Sequence, residues 1–240
     1  MRFYSERNVP FDANLYSVGP SRLEANAIWG AWLPKFSKRE KVSSPAGLPG
    51  LVESRSGSGF FFPAAKFGEA WEWIFGPTGQ RVSWSRRLLK PEGEGSGHPK
   101  SKCPTGSRHQ VHHVPGWAGL ALKRGELLIT EGVRKANEVQ RRTGIAALGL
   151  PSVAASRQTI DEVQLAMGTV RPRRLLLAPD YGDLVDGAAR HDATREQVLL
   201  WRAFVDMAEE QGIEVGALAW STMLGKGIDD ALSSLDAEPL

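Results

Sequence analysis

From Gly125 onward the chain repeats one pattern, a short apolar run followed by an amphipathic helical stretch, and that repetition restricts the fold more than any other feature. Glu126 to Thr130, Ile145 to Leu150, Arg173 to Ala178 and Ile213 to Trp220 read as strands. Val133 to Thr143, Gln158 to Met167, Thr194 to Gln211 and Ile228 to Leu235 read as helices. The third helix places Val198, Trp201, Val205 and Ala208 on one face, and Gly212 closes it as a C-cap residue. Strands that alternate with helices are joined by crossovers, which build a mostly parallel sheet flanked by helices. The fold class expected is therefore α/β.

Open parallel sheets bind ligands beyond the carboxyl ends of their strands. The first strand ends at Glu131, and the third is followed by Asp180, Asp183 and Asp186. The fourth is followed by Lys226-Gly227-Ile228-Asp229-Asp230. Three strand ends thus deliver carboxylates to one edge of the sheet. Taken singly, each acid has a commoner role as a turn residue or helix N-cap, and Asp229 can simply cap the last helix. Their convergence is what carries chemistry. Neighbouring carboxylates repel, and a divalent cation keeps them ionised. Oxygen ligands without His or Cys suit Mg²⁺ or Mn²⁺, ions that bind substrate phosphates and serve phosphoryl transfer.

The part before Gly125 has a different character. Residues 1 to 20 show no clear periodicity and read as an arm. Ser21 to Lys41 reads as a helix with a Ser21/Glu24 capping box, kinked or ended by Pro34. Ser43 to Gly59 is rich in Ser, Gly and Pro, with a short strand near Leu51. Phe60 to Pro63, Ala70 to Phe75 and Arg81 to Leu89 then read as strands of a small antiparallel unit, with a turn at Gly76-Pro77-Thr78-Gly79. Its Trp71, Trp73 and Trp84 suit a sheet core, and stacking on unpaired bases is the alternative. Between Arg81 and His113 the chain carries seven Lys or Arg residues against two acids, Glu92 and Glu94. These cations are Arg81, Arg86, Arg87, Lys90, Lys100, Lys102 and Arg108. A basic segment accompanied by an acidic pocket suits an enzyme that handles a polyanion with a metal.

Residues 90 to 116 read as a loop. Cys103, His109, His112 and His113 match no standard zinc spacing, and the histidines are expected to contact phosphate or solvent. The single cysteine excludes an intramolecular disulfide and a Cys-rich zinc ribbon, and it agrees with a reducing compartment. With no export signal and no apolar run long enough to span a bilayer, the expected location is the cytoplasm, without membrane association.

At the strand-end acids the chain resembles a known family. Leu127-Leu128-Ile129-Thr130-Glu131-Gly132 with Arg134-Lys135-Ala136 resembles the first motif of Toprim domains. The closest likeness is to the Toprim-like domain of unknown function found in replication proteins of plasmids, phages and integrated elements. Ala147-Leu148-Gly149-Leu150-Pro151-Ser152-Val153 resembles that family's second strand and turn, and Lys226 to Leu232 its closing motif. Upstream, Phe62-Pro63, Gly79, Arg86-Arg87, Lys100 and Pro104-Thr105-Gly106 resemble the basic β subdomain of the catalytic core of bacterial-type primases. The resemblance covers residues 59 to 235.

It implies a Toprim-type, mostly parallel sheet preceded by a small antiparallel β-rich subdomain. The organisation expected is an arm and helix over 1–58, a basic β-rich subdomain over 59–116 and a Toprim-like domain over 117–240. Glu131 matches the family's glutamate, Asp180 the first aspartate of its Asp-x-Asp motif, and Asp229 and Asp230 its late acidic pair. The second aspartate of Asp-x-Asp falls at Gly182, with Asp183 one residue late. Lys135 stands where replicative primases carry an acid. The function implied is a primase-like, divalent-metal-dependent nucleotidyltransferase that acts on single-stranded DNA during replication of a mobile element. Glu131 and Asp180 are its expected catalytic pair, and Glu131, Asp180, Asp183, Asp229 and Asp230 its ligands for Mg²⁺ or Mn²⁺. The seven cations above, with Lys135, are expected on nucleic acid, and Lys226 beside the acids. Partners are single-stranded DNA, nucleoside triphosphates and a replicative helicase. A Toprim nuclease, or a non-catalytic module that binds single-stranded DNA or a helicase, remain alternatives.

Overall fold

The computed structural model describes residues 16–18, 52–53, 60–61, 70–87, 101–102, 110–151, 157–180, 191–225 and 227–235. The helix expected over Ser21 to Lys41 lies outside them. The chain divides into two compact units, one from Met1–Trp73 with Ser83–Arg108, the other from Ile74–Val82 with His109–Leu240.

The first unit is built on antiparallel strands. β1 (Tyr16–Val18), β4 (Ala70–Phe75), β5 (Arg81–Arg87) and β6 (Ser101–Lys102) lie in that order in a four-stranded sheet. β2 (Val52–Glu53) and β3 (Phe60–Phe61) pair separately, with Val52 opposite Phe61. β4 and β5 are joined by the turn that the sequence marks. Pro77 presets its φ and Gly79 adopts φ 81°, a left-handed value that glycine reaches without strain. The Gly76 N–H donates to Gln80 O at 2.9 Å and closes it.

The second unit holds the α/β layer. A five-stranded sheet runs in the order β11 (Glu214–Ala217), β10 (Arg174–Ala178), β8 (Glu126–Glu131), β9 (Ala146–Leu150) and β7 (His112–His113). All neighbours are parallel except β7, which runs antiparallel to β9. Five α-helices are described in this unit: α1 (Trp117–Arg124), α2 (Val133–Thr143), α3 (Arg157–Val170), α4 (His191–Glu210) and α5 (Ile228–Leu235). Strands buried on both faces read as unbroken apolar runs, and Leu127, Leu128 and Ile129 are fully buried. Alternation splits them between two cores. Leu127, Ile129, Leu148 and Leu175 pack with Trp117 of α1, Met167 of α3 and Phe204 of α4. Leu128, Ala147 and Leu176 pack on the other face with Ala136 and Val139 of α2 and Ile228 of α5. Full burial of each large aliphatic stabilises the fold by roughly 1.5–3 kcal/mol.

Three features differ from the sequence reading. The apolar face of α4 is shifted: Trp201 and Ala208 are buried and Val205 packs on the core as expected, joined by Leu200 and Phe204, whereas Val198 is 47% exposed. The helix offers apolar residues at 198, 199, 200, 201, 204 and 205, so the local pattern fits more than one stripe, and the sheet selects among them. Trp117–Arg124, unassigned from the sequence, is α1, a helix of 8 residues whose Gly125 C-cap has φ 71°. The adjacent histidines are neither solvated nor on phosphate. They form the edge strand β7 and are buried.

His112 explains why an imidazole belongs there. Its Nδ1 accepts the Phe75 N–H at 3.2 Å, which places the ring proton on Nε2, 2.9 Å from Asn137 Oδ1 of α2. The ring therefore ties Phe75, the edge strand and α2 together, all within the second unit. His113 Nδ1–H donates to Val111 O at 3.2 Å, and the ring packs 5.0 Å from that of Trp117. Burial pushes the His112 pKa down from 6.5 to about 4 and outweighs the hydrogen bond to Asn137. Between those two values the unfolded chain binds more protons than the folded one, so stability falls as pH drops through that window. The loss amounts to about 3 kcal/mol. Urea unfolding followed across this pH range should show it, and His112→Gln should flatten that part of the profile. An unaltered slope in the variant would assign the pH dependence to other groups.

Candidate functional site

Sheet topology selects one edge. β8 leads through α2 to β9 on one side, whereas β10 lies on the other side of β8. The connections therefore diverge between β8 and β10, and the crevice of an open α/β sheet lies outside the carboxyl ends of such a strand pair. Thr130 and Ala178 are register partners there, and Thr130 Oγ1 donates to Ala178 O at 3.0 Å. Glu131 follows the first by one residue and Asp180 the second by two. Adjacent strands run about 4.8 Å apart, so the register brings both acids to one mouth.

The turn after Glu131 is tightly held. Gly132 has φ 79°, a value that strains any L side chain, and its N–H donates to Leu150 O at 2.9 Å. Gly149 on β9 makes room for this turn, since a Cβ there would lie 2.6 Å from Gly132 O. The chain leaves β8 directly into α2. The first turn of α2 holds no acid and instead presents Arg134 and Lys135. Those charges oppose the helix dipole, which favours anions at an N-terminus.

Carboxylates from elsewhere supply the compensation. Lys135 Nζ pairs with Asp180 Oδ1, and side-chain exposures of 16% and 11% show how enclosed that pair is. Arg134 Nη2 pairs with Asp229 Oδ2 in the first turn of α5, with exposures of 11% and 8%. One oxygen of Glu131 is enclosed by protein. Asp230 acts locally, its Oδ2 accepting the Gly227 N–H at 3.4 Å at the start of α5. At the far end of α2, buried Glu138 binds Arg142 at 3.0 Å, and Arg142 Nη1 donates to Leu232 O at 3.0 Å. α5 is thereby tied to α2 at both ends, which fixes Asp229 over the first turn of α2.

The structure thus pairs Lys135 with Asp180 and Arg134 with Asp229 at the start of α2, sets Glu131 at the end of β8, and leaves Asp230 on the backbone at the start of α5. Among the basic residues, Arg81 is exposed on β5, and backbone register sets Arg86 opposite Lys102 and Arg87 opposite Ser101. Asp183, Lys90, Lys100, Arg108 and Lys226 lie outside the described residues. Sequence reasoning missed Arg134 as the partner of Asp229, and Gly227 as the residue that leaves room beside Lys135 and Asp229. Two adjacent cations in the first turn of a helix were the available signal for Arg134.

Among the described residues no group of three or more His, Cys, Asp or Glu could hold a metal ion. A hard cation needs less from protein where phosphates complete its shell, because Mg²⁺ is commonly held by one or two carboxylates, water and substrate. Glu131 and Asp180, all-oxygen donors at one crevice, fit that manner of binding.

No protein-family model matches the sequence, and no curated protein matches it. Solved structures do. The chain is similar to the E. coli primase catalytic core, with TM-score 0.64 and 14% identity, over 97% of this chain and 68% of that one. It is similar to a DnaG primase catalytic domain bound to single-stranded DNA, with TM-score 0.64, 13% identity and coverage of 98% and 67%. It is also similar to the zinc-binding and RNA polymerase domains of Aquifex aeolicus primase, with TM-score 0.60, 14% identity and coverage of 98% and 52%. The chain spans about half of that last structure's length. At these identities the likeness establishes the fold alone: the mostly parallel sheet flanked by helices, with antiparallel strands beside it, is the fold of the primase catalytic cores and the one expected.

Removing one member of the Arg134–Asp229 pair leaves a buried charge without its counter-ion. Arg134→Ala should destabilise the protein by about 3–5 kcal/mol, and the double variant with Asp229→Ala should recover a large part of that loss. Urea unfolding of the four proteins checks it. Additive losses would mean that the two side chains do not act as a pair.

Proposed function

We propose that this chain is a primase-like nucleotidyltransferase that acts on single-stranded DNA during replication of a mobile element. What supports the reading is the register of β8 with β10, which brings the chain at Glu131 and at Asp180 to the same carboxyl edge, at the switch point of a fold shared with primase catalytic cores. Among the similar structures, one DnaG primase catalytic domain is bound to single-stranded DNA and the RNA polymerase domain of Mycobacterium tuberculosis primase to double-stranded DNA. That agrees with a polyanion as partner.

In this reading Glu131 and Asp180 hold Mg²⁺ or Mn²⁺ together with the phosphates of a nucleoside triphosphate, and Asp183 follows Asp180 closely enough in sequence to join them. Asp229 and Asp230 add negative charge at the rim. When bound, the cation stabilises the attacking and leaving oxygens of phosphoryl transfer. The template lies along Arg81, Arg86, Arg87, Lys90, Lys100, Lys102 and Arg108, with Lys226 near the acids. A replicative helicase is the protein partner, and the cytoplasm the compartment. The described helices include none long and apolar enough to cross a membrane.

A second reading, a non-catalytic module that binds single-stranded DNA, draws support from the ion pairs. Arg134 and Lys135 already neutralise two of these acids, so the pocket is stable as a purely structural element.

Incubation with Mn²⁺, single-stranded DNA and labelled nucleoside triphosphates separates the two. Products longer than a dinucleotide are expected. Glu131→Gln and Asp180→Asn should each lower their yield by about a hundredfold or more, the scale of several kcal/mol of transition-state stabilisation. DNA that is bound but never copied favours the module, and shortened DNA a Toprim nuclease. Independently, Arg86→Ala with Arg87→Ala should reduce the salt dependence of single-strand affinity by about 0.7 per lost phosphate contact. An unchanged slope would remove these two residues from the interface.

A further inference from the structure

We propose that Lys135 is a built-in counter-ion that occupies the cation position on Asp180, so that a divalent ion gains that carboxylate only by displacing the lysine. The proposal rests on the metal-dependent reading above and adds its control to this chain.

Three observations carry it. First, Lys135 stands in the first turn of α2 beside Arg134, where both the helix dipole and the adjacent guanidinium disfavour another positive charge. What holds it there is Asp180, with which it forms an enclosed ion pair. Second, the lysine stem and Asp229 both lie close against Gly227. A Cβ there would lie 2.9 Å from Lys135 Cε and 2.6 Å from Asp229 Oδ1, so glycine leaves room for both side chains where they lie, and a larger residue would make one of these ends shift. Third, the two cations of this turn are chemically unequal. Arg134 engages Asp229 with a planar guanidinium, a group suited to enclosed carboxylate pairs. Lys135 is a compact ammonium on a flexible stem, able to swing away without unfolding the turn.

An ion approaching Asp180 therefore meets a carboxylate whose charge is already satisfied. Once the ion engages it, Lys135 loses its attraction and is repelled by the ion, by Arg134 and by the helix terminus. Its ammonium would then be free to engage the phosphates of a bound nucleotide in place of the lost carboxylate. Metal and nucleotide are thereby expected to enter together, because each supplies what the other's entry disrupts.

The test is direct binding of Mn²⁺ to the full chain, followed by calorimetry without nucleic acid or nucleotide. Lys135→Met should bind Mn²⁺ at least about tenfold more tightly than the unaltered protein, since a contacting positive charge has been removed. Lys135→Arg, which keeps the charge, should show no such gain, and Lys135→Met with Asp180→Asn should lose it. Thermal unfolding of each variant establishes that it is folded, and Lys135→Gln serves should the methionine variant not fold. Equal Mn²⁺ affinity in the unaltered protein and in the charge-removing variant overturns the counter-ion role while leaving metal dependence intact. If neither binds Mn²⁺, the metal-dependent reading falls and the proposal with it.

Discussion

β8 is paired on both edges and buried on both faces, and the placement of almost every functional group follows from that constraint. Its register with β10 sets Thr130 against Ala178, and with β9 it sets Glu131 against Leu150. With both edges taken, the chain after Glu131 has one way out, past the carboxyl edge and into α2. The turn lies so close to β9 that position 149 admits no side chain. Glu131, the first turn of α2 and the end of β10 are consequently neighbours by construction.

Electrostatics completes what the sheet begins. The end of β10 and the start of α5 each supply a carboxylate, Asp180 and Asp229, and α2 answers with two cations in the turn least suited to them. Each of the two ion pairs removes a cost that either partner would carry alone, because an enclosed charge without a counter-ion is expensive. The pairs also have a mechanical effect. Arg134 and Arg142 attach α5 to α2 at opposite ends, so Asp229 cannot move independently of the helix that starts at the crevice. Beside this tie, Lys135 forms the second enclosed pair, with Asp180.

The opposite edge of the sheet shows the same economy with neutral groups. His112 joins Phe75, β7 and α2 through one acceptor and one donor, a combination that neutral imidazole provides from a single ring. Burial keeps the ring neutral near physiological pH, and a charged ring could not accept the Phe75 N–H. The residue that looks like metal or phosphate chemistry in the sequence is thus a structural tie.

Much of the α/β layer was legible in the sequence because it depends on local pattern. The runs Leu127-Leu128-Ile129 and Leu175-Leu176-Leu177 announce strands buried on both faces, and α2 and α5 lie at the residues that the sequence assigns to them. The acids after β8 and β10 could be assigned to one edge from the strand pattern, since every parallel strand brings its carboxyl end to the same side. Other features escaped because they are decided by contacts between residues distant in the chain. α4 offers several apolar stripes, and only the sheet beneath it chooses the one containing Phe204. β7 is two residues long, too short for any period to reveal, and it exists because β9 has an open edge. Lys135 and Asp180 are 45 positions apart, and Arg134 and Asp229 are 95 apart, so no local signal links them. Local pattern was enough to mark most elements of the α/β layer and the edge of the sheet that receives the carboxylates after β8 and β10. The tertiary structure alone decided which cation each carboxylate meets, because charge pairing depends on distance in space and not on position along the chain.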